Sequence, residues 1–512
     1  MKLICKYIAL LLSAVLLLSG CMKGDDTDRQ NKGEGKTITL QMRQSDSFNP
    51  LSVTHHTVRD ALSLCYEPLF SINDEVAAEG VLARNIEIAD DCLSAVVMLK
   101  DSVLWHDSIR FTSADVVHTI NLLKDNPSWE YSNCVKYIES AQAIDPLSLR
   151  INLSRPYGQI AYSLTFPIVA AHNKDIDSKM LGTGAYCFSK YTPATTLEFV
   201  RNDKWHGGSA ACSNVSVSII RDNMAVTTAF NTGLISTVTD GVFDMENSTP
   251  RQNTRTTLYS SGEYEYMAMN HSHGIFSSQT VRCAVSSAID RSAIATDCYG
   301  GAAMEANAPI HPAAENVSES SILSQYNLSG ASEMLFLEGY TMHESTHLLT
   351  DKNGKKLSFT LLVNEENQSR IKTAQLLVQQ LFAAGIEVNI KELTFDEYIE
   401  KIKSGSFDAY LGGTRLQNLY DYESLLSKDG ALNNYGYSGE YMELALSALC
   451  SASGIDALGD ALFNFEEVFL REQPVCGLVF RMGTLMTAEN VMGKLMPQIN
   501  APYRNIWRWS LR

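Results

Sequence analysis

At 512 residues, with 45% hydrophobic and 19% charged residues, the chain has an ordinary globular composition and the length for two or three domains. A formal net charge of −17 argues against nucleic acid as a partner, because phosphate binding needs clustered Lys and Arg, while a small ligand stays compatible with a cleft whose local potential opposes the net charge. No apolar run after residue 20 approaches the length of a membrane-spanning helix.

The N-terminus reads as an address. Lys2 and Lys6 precede an apolar run, Ile8 to Leu18, which is short for a bilayer span and suited to a secretory signal. The run ends in Leu18-Ser19-Gly20-Cys21, a pattern like the bacterial lipobox, in which small residues fit the peptidase and the Cys thiol accepts the lipid. Residues 1–20 are therefore expected to be a lipoprotein signal peptide, with Cys21 the lipidation site. Residues 21–36, rich in Lys, Gly, Asp, Asn and Gln, have little to bury and read as a flexible tether holding the body at the outer face of a membrane.

Eleven cysteines are present, and nine remain once Cys5 and Cys21 are set aside. The number is odd, none forms a C-x-x-C pair, and contexts such as Leu64-Cys65-Tyr66 are apolar, so buried free thiols are expected rather than a disulfide framework.

From residue 37 the pattern is mixed α/β without an internal repeat. Residues 37–42 alternate like a half-buried strand, and Phe48-Asn49-Pro50 is a turn. Helical spacing of Val58, Ala61, Leu62, Cys65 and Leu69 predicts a helix over 57–70, and 93–100 reads as a strand. Thr112 is placed as an N-cap with Asp115 completing a capping box. Further strands are expected at 147–153, 196–200 and 215–220, and helices at 280–294, 369–384 and 456–470, the last with Asp456 as N-cap. A strand at 357–363, the 369–384 helix and a strand at 386–390 form a unit suited to a parallel sheet.

The order of several segments resembles a known family. Glu67-Pro68-Leu69-Phe70, Val103-Leu104-Trp105-His106-Asp107, Phe111-Thr112-Ser113-Ala114-Asp115-Val116-Val117, Gly182-Thr183-Gly184-Ala185-Tyr186 and Arg201-Asn202-Asp203-Lys204-Trp205 come first. Met269-Asn270, Val281 to Arg291, Leu337-Glu338-Gly339-Tyr340 and Gly405 to Ala409 follow. Together they resemble the family 5 extracellular solute-binding proteins, the oligopeptide, dipeptide and nickel binders of ABC importers.

That resemblance implies an α/β fold of two lobes, of the periplasmic-binding-protein class II, cluster C type, with an extra domain inserted in the first lobe and closing by hinge motion. Lobe I would comprise 37–52, 182–268 and 478–512, the inserted domain 53–181 and lobe II 269–477. It also implies a monomer without cofactor, capturing a peptide or peptide-like solute and delivering it to the transmembrane subunits of an ABC permease. Its place would be the extracytoplasmic face of the membrane, the periplasmic side in a Gram-negative cell.

The rival readings are the same fold binding a metal chelate, a sensor adaptor, and a lipoprotein hydrolase. For the last the sequence offers no G-x-S-x-G, no H-E-x-x-H and no suitable S-x-x-K.

On the resemblance, the candidate ligand-binding residues are Val53, His55, His56, Asp240, Asn270, Gly413, Thr414, Arg415, Gln417, Asn418 and Asp421. Peptide-binding members carry an Asp that pairs with the ligand's ammonium. Gln417 or Asn418 falls at that place here, so Arg415 either grips a carboxylate with its fork of donors or points to solvent or a neighbouring acid. His106 is expected to be structural, Gly182 and Gly184 to mark a turn with positive φ, and Arg282, Asp290 and Arg291 to form a solvated face or salt bridge. His271 and His273 read as a surface loop rather than a metal site. Cys21→Ala is expected to release the protein from the membrane or leave an unprocessed precursor, with the fold of 37–512 intact; lipid labelling of the variant equal to that of the parent would contradict it.

Overall fold

The computed structural model describes residues 33–239, 248–314 and 326–512; the signal segment, Cys21 and Asp240 lie outside the described residues. β1 (Gly33–Met42) is followed by α1 (His56–Leu62) and a hairpin of β2 (Phe70–Ile72) and β3 (Ala78–Gly80). β4 (Ala83–Ile88), β5 (Ser94–Leu99), α2 (Ser113–Asp125), β6 (Ile138–Asp145) and β7 (Ser148–Leu153) come next, and their strands form an antiparallel sheet ordered β4-β5-β7-β6. The chain then returns with β8 (Tyr186–Thr192), β9 (Thr196–Arg201) and β10 (Cys212–Ile219), which join β1 in the order β1-β10-β9-β8, with β1 parallel to β10. One sheet is thus completed by strands on either side of another, the signature of an inserted domain.

The rest of the chain runs through β11 (Thr237–Thr239), β12 (Arg255–Met269), α3 (Gln279–Ser287), β13 (Ala303–Glu305), β14 (Thr341–His343) and β15 (Leu348–Thr350). It continues with β16 (Ser358–Asn364), α4 (Gln368–Ala383), β17 (Glu387–Leu393), β18 (Ala409–Arg415), α5 (Glu440–Ser451), α6 (Ile455–Glu472) and β19 (Val475–Thr487). The main sheet is ordered β11-β19-β12-β18-β16-β17, with β13 also on β19. The expected strand, helix, strand unit is present, β16 lying parallel to β17 from Ser358↔Glu387 to Asn364↔Leu393.

Strand alternation sets the layers of lobe II. Tyr264, Tyr266 and Ala268 pack with Met442, Leu462 and Phe465 of α5 and α6, while Met267 and Met269 face Val281, Val285 and Leu377 of α3 and α4. In lobe I a single core joins Ile38 and Leu40 of β1 to Trp105, Phe111 and Val116 of the inserted domain and to Trp509 near the C-terminus.

The lobes are joined by β12 and β19, paired from Arg255↔Thr487 to Ala268↔Val475. Their ends belong to different cores: Cys476, Leu478 and Val479 lie in lobe II, Leu485 in lobe I. Between Ser260 and Tyr264 the register slips with extra residues on β12, and between Glu265 and Tyr266 with one on β19, so β12 bulges midway between the lobes and β19 just beyond.

Several expectations are corrected. The helix after residue 56 ends at Leu62, because Leu64 and Cys65 spend their carbonyls on Tyr186 and Gly184, and Pro68 bridges Pro167. Gly182 and Gly184 have no positive φ; they are glycine because a Cβ on either would strike the Cys65 carbonyl. The 280–294 helix breaks after Ser287 and restarts with Asp290 as the cap of Arg291–Ala293. The final helix is capped by Gly454 rather than Asp456, which sits in the first turn where its charge suits the helix dipole.

The thiols are unpaired as expected: all nine are free, Cys187 and Cys283 part-exposed and the others buried. Thr112 and Asp115 form the expected capping box, and Asp115 also receives Trp105 Nε1 at 3.3 Å. His106 bridges the glycine turn, its Nε2 to Gly184 O at 3.1 Å and its Nδ1 accepting from Gly182 N at 3.4 Å. Burial holds the imidazole below its ordinary pKa, consistent with a neutral ring in a structural role.

Arg282 and Arg291 are not solvated, being 6% and 4% exposed. Arg282 donates to the carbonyls of Glu472 and Gln473 at the end of α6, and Arg291 to those of Ser286 at 3.1 Å and Gly477 at 2.8 Å. Arg282, and Arg291 through Ser286, thus satisfy carbonyls at a helix end, at the negative pole of the dipole, while Gly477 O lies on β19. Replacing Arg291 with Met removes the buried charge-assisted bonds to Ser286 O and Gly477 O, so a loss of about 2–4 kcal/mol is expected, read as a lower urea midpoint at unchanged slope; an unaltered midpoint would refute the capping role.

Candidate ligand-binding cleft

The bulge in β12 and the loop after β1 face each other across a chamber of about 460 Å³. Thr54, His55, His56, Arg59 and Asp60 line one side, Tyr259, Ser261 to Glu263, Arg415, Arg481 and Gly483 the other, with Asn500 and Pro502 closing the floor. A second chamber, of about 120 Å³, shares Arg59, Arg415 and Asn500 with the first. A third, of about 80 Å³, continues from the second through Ser63, Tyr66, Pro68, Ser71 and Ala501.

The junction of the first two chambers carries two guanidinium groups in different circumstances. Arg59, on α1, donates to Thr54 O at 2.8 Å and is ion-paired with Glu130. Arg415, at the end of β18, donates Nε to Asn500 Oδ1 at 3.0 Å, and its Nη2 contacts the same oxygen. Asn500 holds that position in the left-handed region, with φ of 59°, a conformation asparagine tolerates. Among the described residues no carboxylate lies within ion-pair distance of Arg415. Burial raises the Tyr131 phenol above its ordinary pKa, while the charges of Arg59 and Arg415 pull it back, which places all three groups together at the junction.

His55 and His56 both line the large chamber, their rings stacked at 4.9 Å. His55 also caps α1, its Nδ1 accepting from Thr57 N at 3.3 Å; burial, then Arg43 and Arg59, hold its pKa down, which favours a neutral ring with the proton on Nε2. Gln417 lines the small chamber and donates to Glu130 O at 3.1 Å.

The remaining candidates sit elsewhere. Val53 is buried in the lobe I core. Asn270 is buried in the turn after β12, donating to Phe407 O at 3.0 Å and accepting from Ser272 N at 3.0 Å. Gly413 is glycine because its Cβ would press on the Arg370–Glu265 ion pair, and Thr414 lies on β18 opposite Tyr264. Asn418 is buried against Tyr157 and Ser163, and Asp421 is paired with Lys136 at 2.6 Å. Both therefore face the inserted domain rather than the chambers. His271 Nε2 meets Pro474 O at 2.9 Å, burial pushes its pKa down to about 4, and among the described residues no group of three or more His, Cys, Asp or Glu could hold a metal.

Sequence reasoning missed Arg59, Glu130, Tyr131, Glu263 and Asn500. Arg59 offered a signal, since it sits on the polar side of a short helix directly after His55 and His56. The bulge that presents Glu263 left none.

The inserted domain also reaches lobe II beside the chambers. Arg155 pairs with Glu423 at 2.6 Å, Gly158 N donates to Cys450 O at 2.7 Å, and Gln159 Nε2 to Ala452 O at 2.8 Å. The lobes are thus closed upon one another around the cavity.

Residues 77–435 match the family model for bacterial extracellular solute-binding proteins, family 5. The oligopeptide-binding protein AppA of Bacillus subtilis is 22% identical over 98% of this chain and 97% of its own length. The nickel-binding protein NikA of Staphylococcus aureus is 24% identical over 87% of each. Among solved structures, the substrate-binding protein CtaP of Listeria monocytogenes aligns with a TM-score of 0.78 at 18% identity, covering 93% of this chain and 99% of that one. The bilobal architecture, the interlobe cavity and a family match across most of the sequence agree, and the chain belongs to the family 5 extracellular solute-binding proteins.

Proposed function

We propose that the protein is a non-enzymatic, lipid-anchored substrate-binding component of an ABC importer, which captures peptides or peptide-like acids by lobe closure and passes them to a membrane permease. The domain limits given above, with the large and small chambers between lobe I and lobe II, form part of the same proposal. The observation that carries the ligand reading is Arg415: its guanidinium faces the cavity and is held by a neutral amide, with no carboxylate of the described residues within ion-pair distance. A carboxylate is the group that best satisfies such a fork, through two charge-assisted hydrogen bonds. The oligopeptide-binding and glutathione-binding relatives support a peptide-like cargo. An ammonium end would find Glu263, which lies opposite Arg415 in the β12–β18 register and also lines the large chamber.

A second reading, a metal chelate, is favoured by His55 and His56 on the chamber wall and by the nickel-binding relatives. Equilibrium dialysis against nickel with histidine separates the two.

Calorimetry with N-acetylated and C-amidated forms of one bound tripeptide tests the main reading. C-amidation, and Arg415→Ala with the free acid, should each cost about 2 kcal/mol, roughly thirtyfold in Kd, and exceed the effect of N-acetylation. The reverse order, or unchanged affinity in Arg415→Ala, would overturn it. Saturating peptide should also raise the melting temperature, as binding to the folded state requires.

A further inference from the structure

The large chamber is lined mostly by polar groups, and the small one beside it is not. Leu62, Tyr66, Phe70, Ile72, Pro167 and Ile499 give the small chamber an apolar side, and the Cys134 thiol, pushed up to about 12 by burial, adds a neutral surface. Its volume of about 120 Å³ is close to that of an apolar cavity of about 150 Å³ that holds benzene, so a branched aliphatic side chain or a phenyl ring fits and a main chain does not.

Among the described residues that line it the charged groups are Arg59, Glu130 and Arg415, and the first two neutralise each other. A ligand carboxylate on Arg415 therefore stands at the threshold, and the side chain on the same carbon has this chamber as its nearest apolar space.

We propose that the small chamber is a side-chain subsite that selects the residue bearing the carboxylate held by Arg415, narrowing the ligand class to peptides or peptide-like acids that end in an aliphatic or aromatic residue. This rests on the carboxylate reading above. An acidic side chain would be desolvated among Leu62, Phe70, Ile72 and Ile499, and a basic one would meet Arg415. A small one would leave the cavity unfilled and lose its contacts. Ser71 Oγ, buried in this wall without a hydrogen-bond partner, can be satisfied by a tyrosyl hydroxyl, so Tyr belongs to the accepted set.

The test is retention of an equimolar tripeptide library on the full-length protein, with the retained peptides sequenced by mass spectrometry, alongside the same library as C-terminal amides. Leu, Ile, Met, Phe and Tyr should be enriched at least tenfold over Gly, Asp and Lys at the last position, as burial of a whole side chain implies. Thr165→Phe, which fills the chamber from its rim without removing a hydrogen bond recorded in the structure, should abolish that enrichment. Retention that is lost on amidation yet indifferent to the last side chain would overturn the subsite and leave the carboxylate reading standing. Side-chain enrichment that survives amidation would do the opposite, and no retention of either library would overturn both.

Discussion

The structure depends on one pair of strands. β12 and β19 are antiparallel neighbours along their length, yet their opposite ends are sealed into different hydrophobic cores, so the pairing is the physical link between the lobes. Its slip between Ser260 and Tyr264 frees Ser261, Gly262 and Glu263 from pairing with β19, though Glu263 keeps its place opposite Arg415 of β18, and turns them into cavity wall. Glycines on β19 make the arrangement possible. A Cβ on Gly483 would strike the ring of Tyr259, its cross-strand partner, and one on Gly477 would strike Tyr264 Oη and the Asn307 carbonyl. The tyrosines lie across the strand where it has no side chains, and the ladder stays closed beneath them.

The charges around the cavity explain how a protein of net charge −17 can present a cation to its ligand. Lys136, Arg155 and Arg59 are each matched to a carboxylate, Asp421, Glu423 and Glu130, which cancels their fields; the first two pairs also tie the inserted domain to lobe II. Arg415 is matched to an amide. The difference concentrates positive potential where the two chambers meet. Closure is also tight: Val76, at the tip of the β2–β3 hairpin, has 0% exposure within the lobe II core and a φ of 62°, which a β-branched residue adopts only where its surroundings enforce it.

Much of the fold was legible because it is written in local periods. The capping box at Thr112, the parallel unit from Ser358 to Leu393 and the free thiols follow from spacing and context within a few residues. What failed was set by distant partners. Whether Arg282 and Arg291 are solvated depends on where Glu472, Gln473 and Gly477 arrive, more than 180 residues on, and the glycines at 182 and 184 answer to a carbonyl at Cys65. The cleft was half legible: His55, His56, Arg415 and Gln417 came from a local resemblance, while Arg59 and Asn500 join them only through tertiary packing.

The pairing of Ala268 with Val475 has one more consequence. In topological terms everything between them is the loop of a single β-hairpin, whose two arms are β12 and β19, and both arms are rooted in the lobe that also holds β1 and Trp509. Lobe II is therefore an excursion of the chain that leaves and returns at one place. Neither end of the described chain runs through it, and what restrains it against lobe I, apart from that root, includes the contacts with the inserted domain at Lys136, Arg155, Gly158 and Gln159.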